Sequence, residues 1–194
     1  MYKQLPLVIA VVLAIFFAGC QGRKQASDQS ADSSQAASET SGTTTEVAIT
    51  GHLAELGLTK ESDWRGINIG DDFAKVKTTE KGEAFESDAQ HVGYTVEFAN
   101  LETADMLYYQ ADQKVSAIDV DLFLNSRQSV TTYQNELQPY FSSRFGAPKT
   151  ANGGTTWTGA QGKTVTLKDV SKGKDFGLKI KIASANGPAT ASAK

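Results

Sequence analysis

The chain has 194 residues, of which 40% are hydrophobic and 21% charged, and its formal net charge is −3. Nucleic acid is not an expected partner, because the chain is acidic and its basic part carries no interleaved aromatic side chains. With two histidines and one cysteine, the chain also has few residues for a metal site or a nucleophilic enzyme.

The first residues have the pattern of an export signal. Lys3 supplies a positive charge, and residues 5–18 form an apolar run without charges. A helix of that length covers about 21 Å, whereas the hydrocarbon core of a membrane is about 30 Å thick. The run is therefore too short to span a membrane unaided.

The apolar run ends in Phe17-Ala18-Gly19-Cys20, which resembles the bacterial lipobox. The resemblance implies a signal peptide of residues 1–19, cleavage after Gly19 and a lipid on the Cys20 thiol. Two or more acyl chains hold a protein stably on a membrane. The alternative is an uncleaved apolar segment whose cysteine is incidental.

A lipid on Cys20 places the protein in the cell envelope, with the membrane as a partner through the anchor. Gln21 follows the cysteine, where many Gram-negative lipoproteins retained in the inner membrane have Asp. The outer membrane is therefore favoured over the inner membrane if the host is Gram-negative. A lipidated Cys20 also leaves the mature chain without a thiol for a disulfide, a zinc site or a nucleophile.

Two segments of low complexity flank the predicted domain. Residues 21–45 contain no Leu, Ile, Val, Phe, Trp or Tyr. We therefore expect residues 20–46 to be the lipidated cysteine and a disordered tether rich in Ser, Thr and Gln. Residues 186–194 are predicted to be a disordered tail. Residues 47–185 have the size of a single domain.

Both strands and helices are predicted within this domain. Strands with one wet face are predicted where apolar residues alternate, at residues 94–98, 115–123, 163–168 and 176–183. Helical spacing instead marks residues 73–77 and 130–145. A turn at residues 111–113 separates a further strand, residues 106–110, from the one that follows.

In chain order, the pattern is a helix followed by three strands, and then the same again. In the second unit, an aromatic strand at Trp157 precedes the strands 163–168 and 176–183. The two units run from about residue 69 to 123 and from 130 to 183. We therefore predict an α+β fold of tandem helix-then-three-strand repeats. The repeats are expected to form an antiparallel sheet with the helices packed on one face.

The two halves of the domain carry opposite charge. Residues 50–125 have 6 Lys and Arg against 15 Asp and Glu, whereas residues 126–185 have 9 against 3. The last strands of the two units are therefore expected to pair. In that pairing two acids face two bases: Asp119 and Asp121 opposite Lys179 and Lys181. The four side chains are then either a solvated sheet face with internal pairing or a polar docking surface for a partner.

Two short segments carry a family resemblance. They are residues 69–76, Ile-Gly-Asp-Asp-Phe-Ala-Lys-Val, and residues 145–148, Phe-Gly-Ala-Pro, followed by Trp157. The arrangement resembles the small domains of the SmpA/OmlA (BamE-like) lipoproteins and the tandem-repeat β-lactamase inhibitor proteins, which put a helix before antiparallel strands. The resemblance implies binding to another protein and not catalysis. No binding residue is carried over from either family.

Several fragments match part of a catalytic motif and lack the rest. Residues 162–164, Gly-Lys-Thr, have no phosphate-loop glycine five positions earlier. Residues 171–174, Ser-Lys-Gly-Lys, lie in a predicted turn without the companion motifs of the serine enzymes. His52 and His91 have no close-spaced partner for a metal site. The spacing of the acidic pair on the strand 115–123 suits paired catalytic carboxylates or calcium ligands, but the opposing lysines offer a simpler role. We therefore predict no enzyme, no cofactor and no metal site.

The sequence favours a non-enzymatic, lipid-anchored envelope protein whose domain binds an unknown protein or assists envelope assembly. The alternative is a periplasmic or surface module that binds a small ligand or a cell-wall glycan. In that case exposed rings would form a stacking surface, and the candidates are Tyr108, Tyr109, Tyr140 and Trp157. A flat exposed patch favours the first hypothesis, and a deep aromatic-lined pocket favours the second.

Overall fold

The structure is a computed structural model that describes residues 47–151 and 153–184. The α-helices in these residues are α1 Gly51–Glu55, α2 Ala74–Thr79 and α3 Arg127–Phe145, and a 3-10 helix covers Ala160–Gly162. The strands are β1 Ala84–Ser87, β2 His91–Glu97, β3 Thr103–Ala111, β4 Lys114–Leu124, β5 Lys149–Ala151, β6 Gly154–Thr158, β7 Lys163–Asp169 and β8 Phe176–Ser184. The predicted signal peptide, Cys20, the tether and the tail lie outside the described residues.

All of these strands belong to one antiparallel sheet, in the order β1-β2-β3-β4-β8-β7-β6-β5. Strands β1 to β4 form one meander, and β5 to β8 form a second. The last strands of the two meanders, β4 and β8, pair at the centre of the sheet. We call this junction the β4–β8 seam. The acidic and the basic half of the domain therefore lie side by side in one sheet.

The predicted fold class is wrong. The described residues are 44% strand and 24% helix, so the sheet dominates the fold in place of tandem helix-then-three-strand repeats with helices packed on one face. The sequence does not predict β1 and β5. Both strands lie at a sheet edge and expose most of their side chains, so no hydrophobic alternation marks them. In addition, α2 has only six residues and cannot form a helical layer.

Helix α3 is the longest helix of the described residues. The Ser126 side chain caps it by accepting a hydrogen bond of 3.0 Å from the Ser129 backbone N–H. The helix ends before Gly146, whose φ is +85°. The Phe141 ring lies 5.3 Å from the ring of Trp157 on β6. None of the helices in the described residues is long and apolar enough to cross a membrane.

The β3–β4 hairpin sets which side chains of β4 reach the core, and the turn predicted at residues 111–113 is confirmed. Asp112 and Gln113 at its tip have φ values of 51° and 61°, the conformation of a tight two-residue turn. From this turn, β4 directs three buried apolar residues to one side of the sheet: Ile118, Val120 and Leu122. We call that side the inner face, and its opposite the outer face.

Candidate functional site

The outer face of the sheet is the candidate functional site. Its central residues form four rows that run across β3, β4, β8 and β7. The apolar row ends at the residue directly after β7 and consists of Thr103, Phe123, Gly177 and Val170. The first charged row consists of Asp105, Asp121, Lys179 and Lys168. The second charged row consists of Leu107, Asp119, Lys181 and Thr166. The small row consists of Tyr109, Ala117, Ala183 and Thr164.

The structure brings together the four residues of the predicted polar face. The β4–β8 register puts Asp121 opposite Lys179, and Asp119 opposite Lys181. Lys179 Nζ lies 2.8 and 2.7 Å from the two carboxylate oxygens of Asp121. Lys181 Nζ lies 3.0 Å from Asp119 Oδ2. Because the Asp121–Lys179 pair is partly exposed, it contributes only about 0.2–1 kcal/mol to stability.

Asp119 is buried more deeply than expected for a residue on a solvent-exposed face of a sheet. The residue is 6% exposed, and its Oδ1 has no hydrogen-bond partner among the described residues. Its cross-strand neighbours are Leu107 on β3 and Lys181 on β8. A buried acceptor without a partner is uncommon in folded proteins. Asp119 therefore meets Lys181 through Oδ2, while its Oδ1 is enclosed by the chain.

Charge changes sign across the seam. Residues 84–124, which contain β1 to β4, have one Lys against eight Asp and Glu. Residues 149–184, which contain β5 to β8, have seven Lys against two Asp. In the first charged row the two acids are direct cross-strand neighbours, and so are the two lysines. Like charges opposite each other destabilise a sheet, so this row indicates a role other than folding.

An exposed aromatic ring lies beside a glycine in the apolar row. Phe123 is 53% exposed and Val170 is 44% exposed. Gly177 lies between them, and a Cβ atom there would lie only 2.7 Å from the carbonyl oxygen of Leu122. A side chain at position 177 would therefore require the backbone to shift. Two exposed apolar side chains thus flank a buried position that has no side chain.

The two histidines contact different carboxylates and act as tertiary contacts. His91 of β2 lies 2.9 Å from Glu86 of β1 through Nε2 and 3.1 Å from Asp88 through Nδ1. His52 of α1 lies 2.9 Å from Glu136 of α3 through Nδ1. Within residues 47–151 and 153–184, no group of three His, Cys, Asp or Glu side chains has the geometry to hold a metal ion.

Most of the candidate rings for glycan stacking are buried in the core, namely Tyr108, Tyr140 and Trp157. The Tyr108 hydroxyl donates a hydrogen bond of 2.5 Å to Glu80 Oε1. The Tyr140 hydroxyl donates one of 2.9 Å to the Thr59 carbonyl, and burial raises the pKa of Tyr140 to about 12. These rings cannot stack on a ligand from solution. Tyr109, half-buried in the small row, is the one candidate on the outer face.

Two buried polar networks were not predicted from the sequence. Arg65 donates hydrogen bonds of 3.0 and 3.1 Å to the Glu80 carboxylate, which also accepts the bond from Tyr108. Asp63 Oδ2 lies 2.7 Å from Lys163 Nζ, so the lysine of the Gly-Lys-Thr fragment forms a structural ion pair. Asp63 and Lys163 are 100 residues apart in the chain. No local sequence pattern reveals a contact of that range.

The second motif fragment, Ser-Lys-Gly-Lys, also has a structural role. The Ser171 side chain accepts a hydrogen bond of 3.1 Å from the Gly177 N–H. The Ser171 N–H donates one of 2.9 Å to Asp169 Oδ1. Both bonds close the turn between β7 and β8, so Ser171 holds the turn and is not positioned as a nucleophile.

Comparison with known proteins assigns no family to the chain. No family model, no curated protein and no solved structure matches it. The likeness to BamE-like lipoproteins and β-lactamase inhibitor proteins therefore stays a resemblance in sequence pattern. Function has to be argued from the outer face itself.

Proposed function

We propose that the protein is a non-enzymatic lipoprotein of the cell envelope that binds another protein through the outer face of its sheet. The anchor is the lipid on Cys20, and the outer membrane is the favoured location in a Gram-negative host. The predicted tether, residues 20–46, joins that anchor to the domain. The domain then works close to the membrane surface.

The exposure of Phe123 in a face of paired charges is the observation that carries this proposal. The buried residues of α1, α2 and α3 all belong to the core with the inner face. None of these three helices therefore covers the outer face. An exposed apolar side chain rimmed by polar and charged groups is typical of protein–protein interfaces.

A glycan site and an enzyme both have less support. Glycan binding needs accessible rings, and most of the candidate rings are in the core. Hydrolysis by paired carboxylates needs acids that are free to exchange protons or to attack. Asp119 and Asp121 instead each contact a lysine. Protein binding is the function that these contacts favour.

Photocrosslinking in living cells tests the proposal. A photoreactive residue replaces Phe123 in one variant and Gln138, an exposed residue of α3, in the control variant. We expect the probe at position 123 to capture a protein and the probe at position 138 to capture none. The captured protein should no longer bind when Phe123 is replaced by Ser. Absence of an adduct at position 123, or equal labelling at both positions, would contradict the proposal.

A further inference from the structure

We propose that the partner of the outer face is a second copy of this chain. The two copies form a two-fold dimer whose axis runs parallel to the strands, directly above the β4–β8 seam. This inference rests on the proposed binding role of the outer face and names its partner. Each row of one copy then meets the same row of the second copy in reverse order.

The two-fold symmetry requires a particular arrangement of charges on the outer face. Rotation about the axis exchanges the two sides of the seam and keeps the position along the strands. Strand β4 of one copy therefore faces β8 of the other, and β3 faces β7. In such an interface every contact occurs twice. The acidic side of the seam must therefore be complementary to the basic side.

The first charged row has this complementary arrangement. Two acids lie on one side of the seam and two lysines on the other, in the order Asp105, Asp121, Lys179, Lys168. After the rotation, Asp121 faces Lys179 of the second copy, and Asp105 faces Lys168 of the second copy. Opposite charges thus meet at every position of the row, which favours this register over others.

The dimer also relieves an unfavourable feature of the isolated chain. Asp105 and Asp121 are cross-strand neighbours of like charge, and the second copy places lysines opposite both. Asp121 already contacts Lys179 of its own chain, whereas Asp105 accepts a hydrogen bond from the Thr95 hydroxyl. Asp105 therefore gains an opposing cation in the dimer.

The apolar row places a large side chain over a position that has none. Phe123 and Gly177 are opposite each other across the seam, so the rotation places the exposed Phe123 ring over Gly177 of the second copy. Val170 borders that position, since its Cγ2 would lie 3.6 Å from a Cβ at residue 177.

Charge selects this axis over a two-fold axis that runs across the strands. An axis across the strands would place β4 on β4 and β8 on β8, so acids would face acids and lysines would face lysines. Like charges across an interface oppose association. Rotation about the axis parallel to the strands also keeps Val47, the first described residue, at the same position along that axis in both copies. Both lipid anchors can then reach one membrane.

The size of the face is that of a weak, small interface. The four rows cross four strands, which at a spacing of about 4.8 Å give a width of about 19 Å. The rows extend about 20 Å along the strands, so each copy offers roughly 400 Å². A standard protein interface buries about 800 Å² on each partner, so we expect a dimer that forms at micromolar concentrations.

A charge exchange between Asp105 and Lys168 tests the dimer. Within one chain these residues are three strand spacings apart, about 14 Å. That distance exceeds the Debye length of about 8 Å at physiological salt, whereas in the dimer the two residues face each other. Asp105→Lys and Lys168→Asp each create like-charge contacts in their own homodimer. An equimolar mixture of the two variants restores opposite charges at both contacts.

Sedimentation equilibrium of the full-length lipoprotein in detergent measures the effect. We expect the wild type to dimerise, and each single variant to raise the dimer dissociation constant by about tenfold, because the symmetry counts each change twice. The mixture should form a heterodimer with the affinity of the wild type. Glu61→Lys and Lys77→Asp make the same charge changes at exposed residues outside the four rows and should leave the dissociation constant unchanged.

Two results would overturn the inference. The first is a wild type that stays monomeric at about 100 μM, the range of weak association. The second is a mixture that dissociates as readily as the single variants. The proposed function fails in a different way. A crosslink from position 123 to a different protein refutes the dimer alone, whereas the lack of any crosslink refutes the binding role as well.

Discussion

Glu102 shows how one buried carboxylate joins the sheet to α3. The residue is 1% exposed, and its Oε1 accepts a hydrogen bond of 3.0 Å from the Asn125 N–H, just before the helix. Burial by itself raises the pKa of Glu102, but hydrogen bonds with Ser129, Asn125 and Asn100 outweigh it and lower that pKa below its ordinary value. The folded state therefore favours the charged form of Glu102.

Acid should consequently destabilise the domain through Glu102. Because the pKa of Glu102 is lower in the folded chain than in the unfolded one, the unfolded chain takes up the proton first as the pH falls. Stability that is present above the unfolded pKa, about 4.3, is then lost as the pH falls towards the folded pKa. Urea midpoints measured from neutral pH down to about pH 3 check this. We expect the urea midpoint of Glu102→Gln to fall less with decreasing pH than that of the wild type. An equal decrease in both would show that Glu102 is not a source of the acid sensitivity.

At the scale of elements, α3 depends on the cap at its first turn. Ser126→Ala removes the acceptor of the Ser129 N–H and should lower the free energy of unfolding by about 1 kcal/mol. Ser143→Ala is the matched control, since the Ser143 hydroxyl donates only to the Tyr140 carbonyl within the helix, and a change within about 0.5 kcal/mol is expected. Urea unfolding with an unchanged m-value measures both. A loss of the same size in the two variants would show that the cap has no special role.

The elements that can be predicted from the sequence are those with one buried face. Strand β4 is found because Ile118, Val120 and Leu122 alternate with smaller or polar residues, and α3 is found because its buried residues recur at helical spacing. Strands β1 and β5 leave no such pattern, since their side chains are mostly exposed on both sides. The fold class was mispredicted for that reason, because both missed strands complete the sheet.

At the scale of the whole molecule, the charge pairing across the seam could be predicted from the sequence. The contacts that shape the surface could not. The alternation of β4 and β8 fixes which residues share a face, so the pairing of Asp121 with Lys179 follows from pattern and charge. The neighbour of the exposed Phe123 ring is Gly177, a residue 54 positions away that strand pairing alone brings beside it. The ion pair of Asp63 and Lys163 likewise arises from tertiary packing. Neither contact has a signal in the local sequence.

The charge pattern across the sheet also gives the two halves of the molecule different roles. The acidic meander carries the exposed Phe123 ring, and the basic meander carries Gly177. Within one chain the two residues lie side by side in the sheet. In the proposed dimer, each ring lies over the glycine of the other copy.

A lipid on Cys20 is the condition for every proposal about where this protein works. Intact mass spectrometry of the protein purified from membranes measures that lipid directly, with Cys20→Ser as the control variant. We expect a wild-type chain that begins at Cys20 and carries the added mass of its acyl chains, and a Cys20→Ser variant that is lost from the membrane fraction. A wild-type chain with a free thiol at Cys20, or one that keeps residues 1–19, would contradict the anchor.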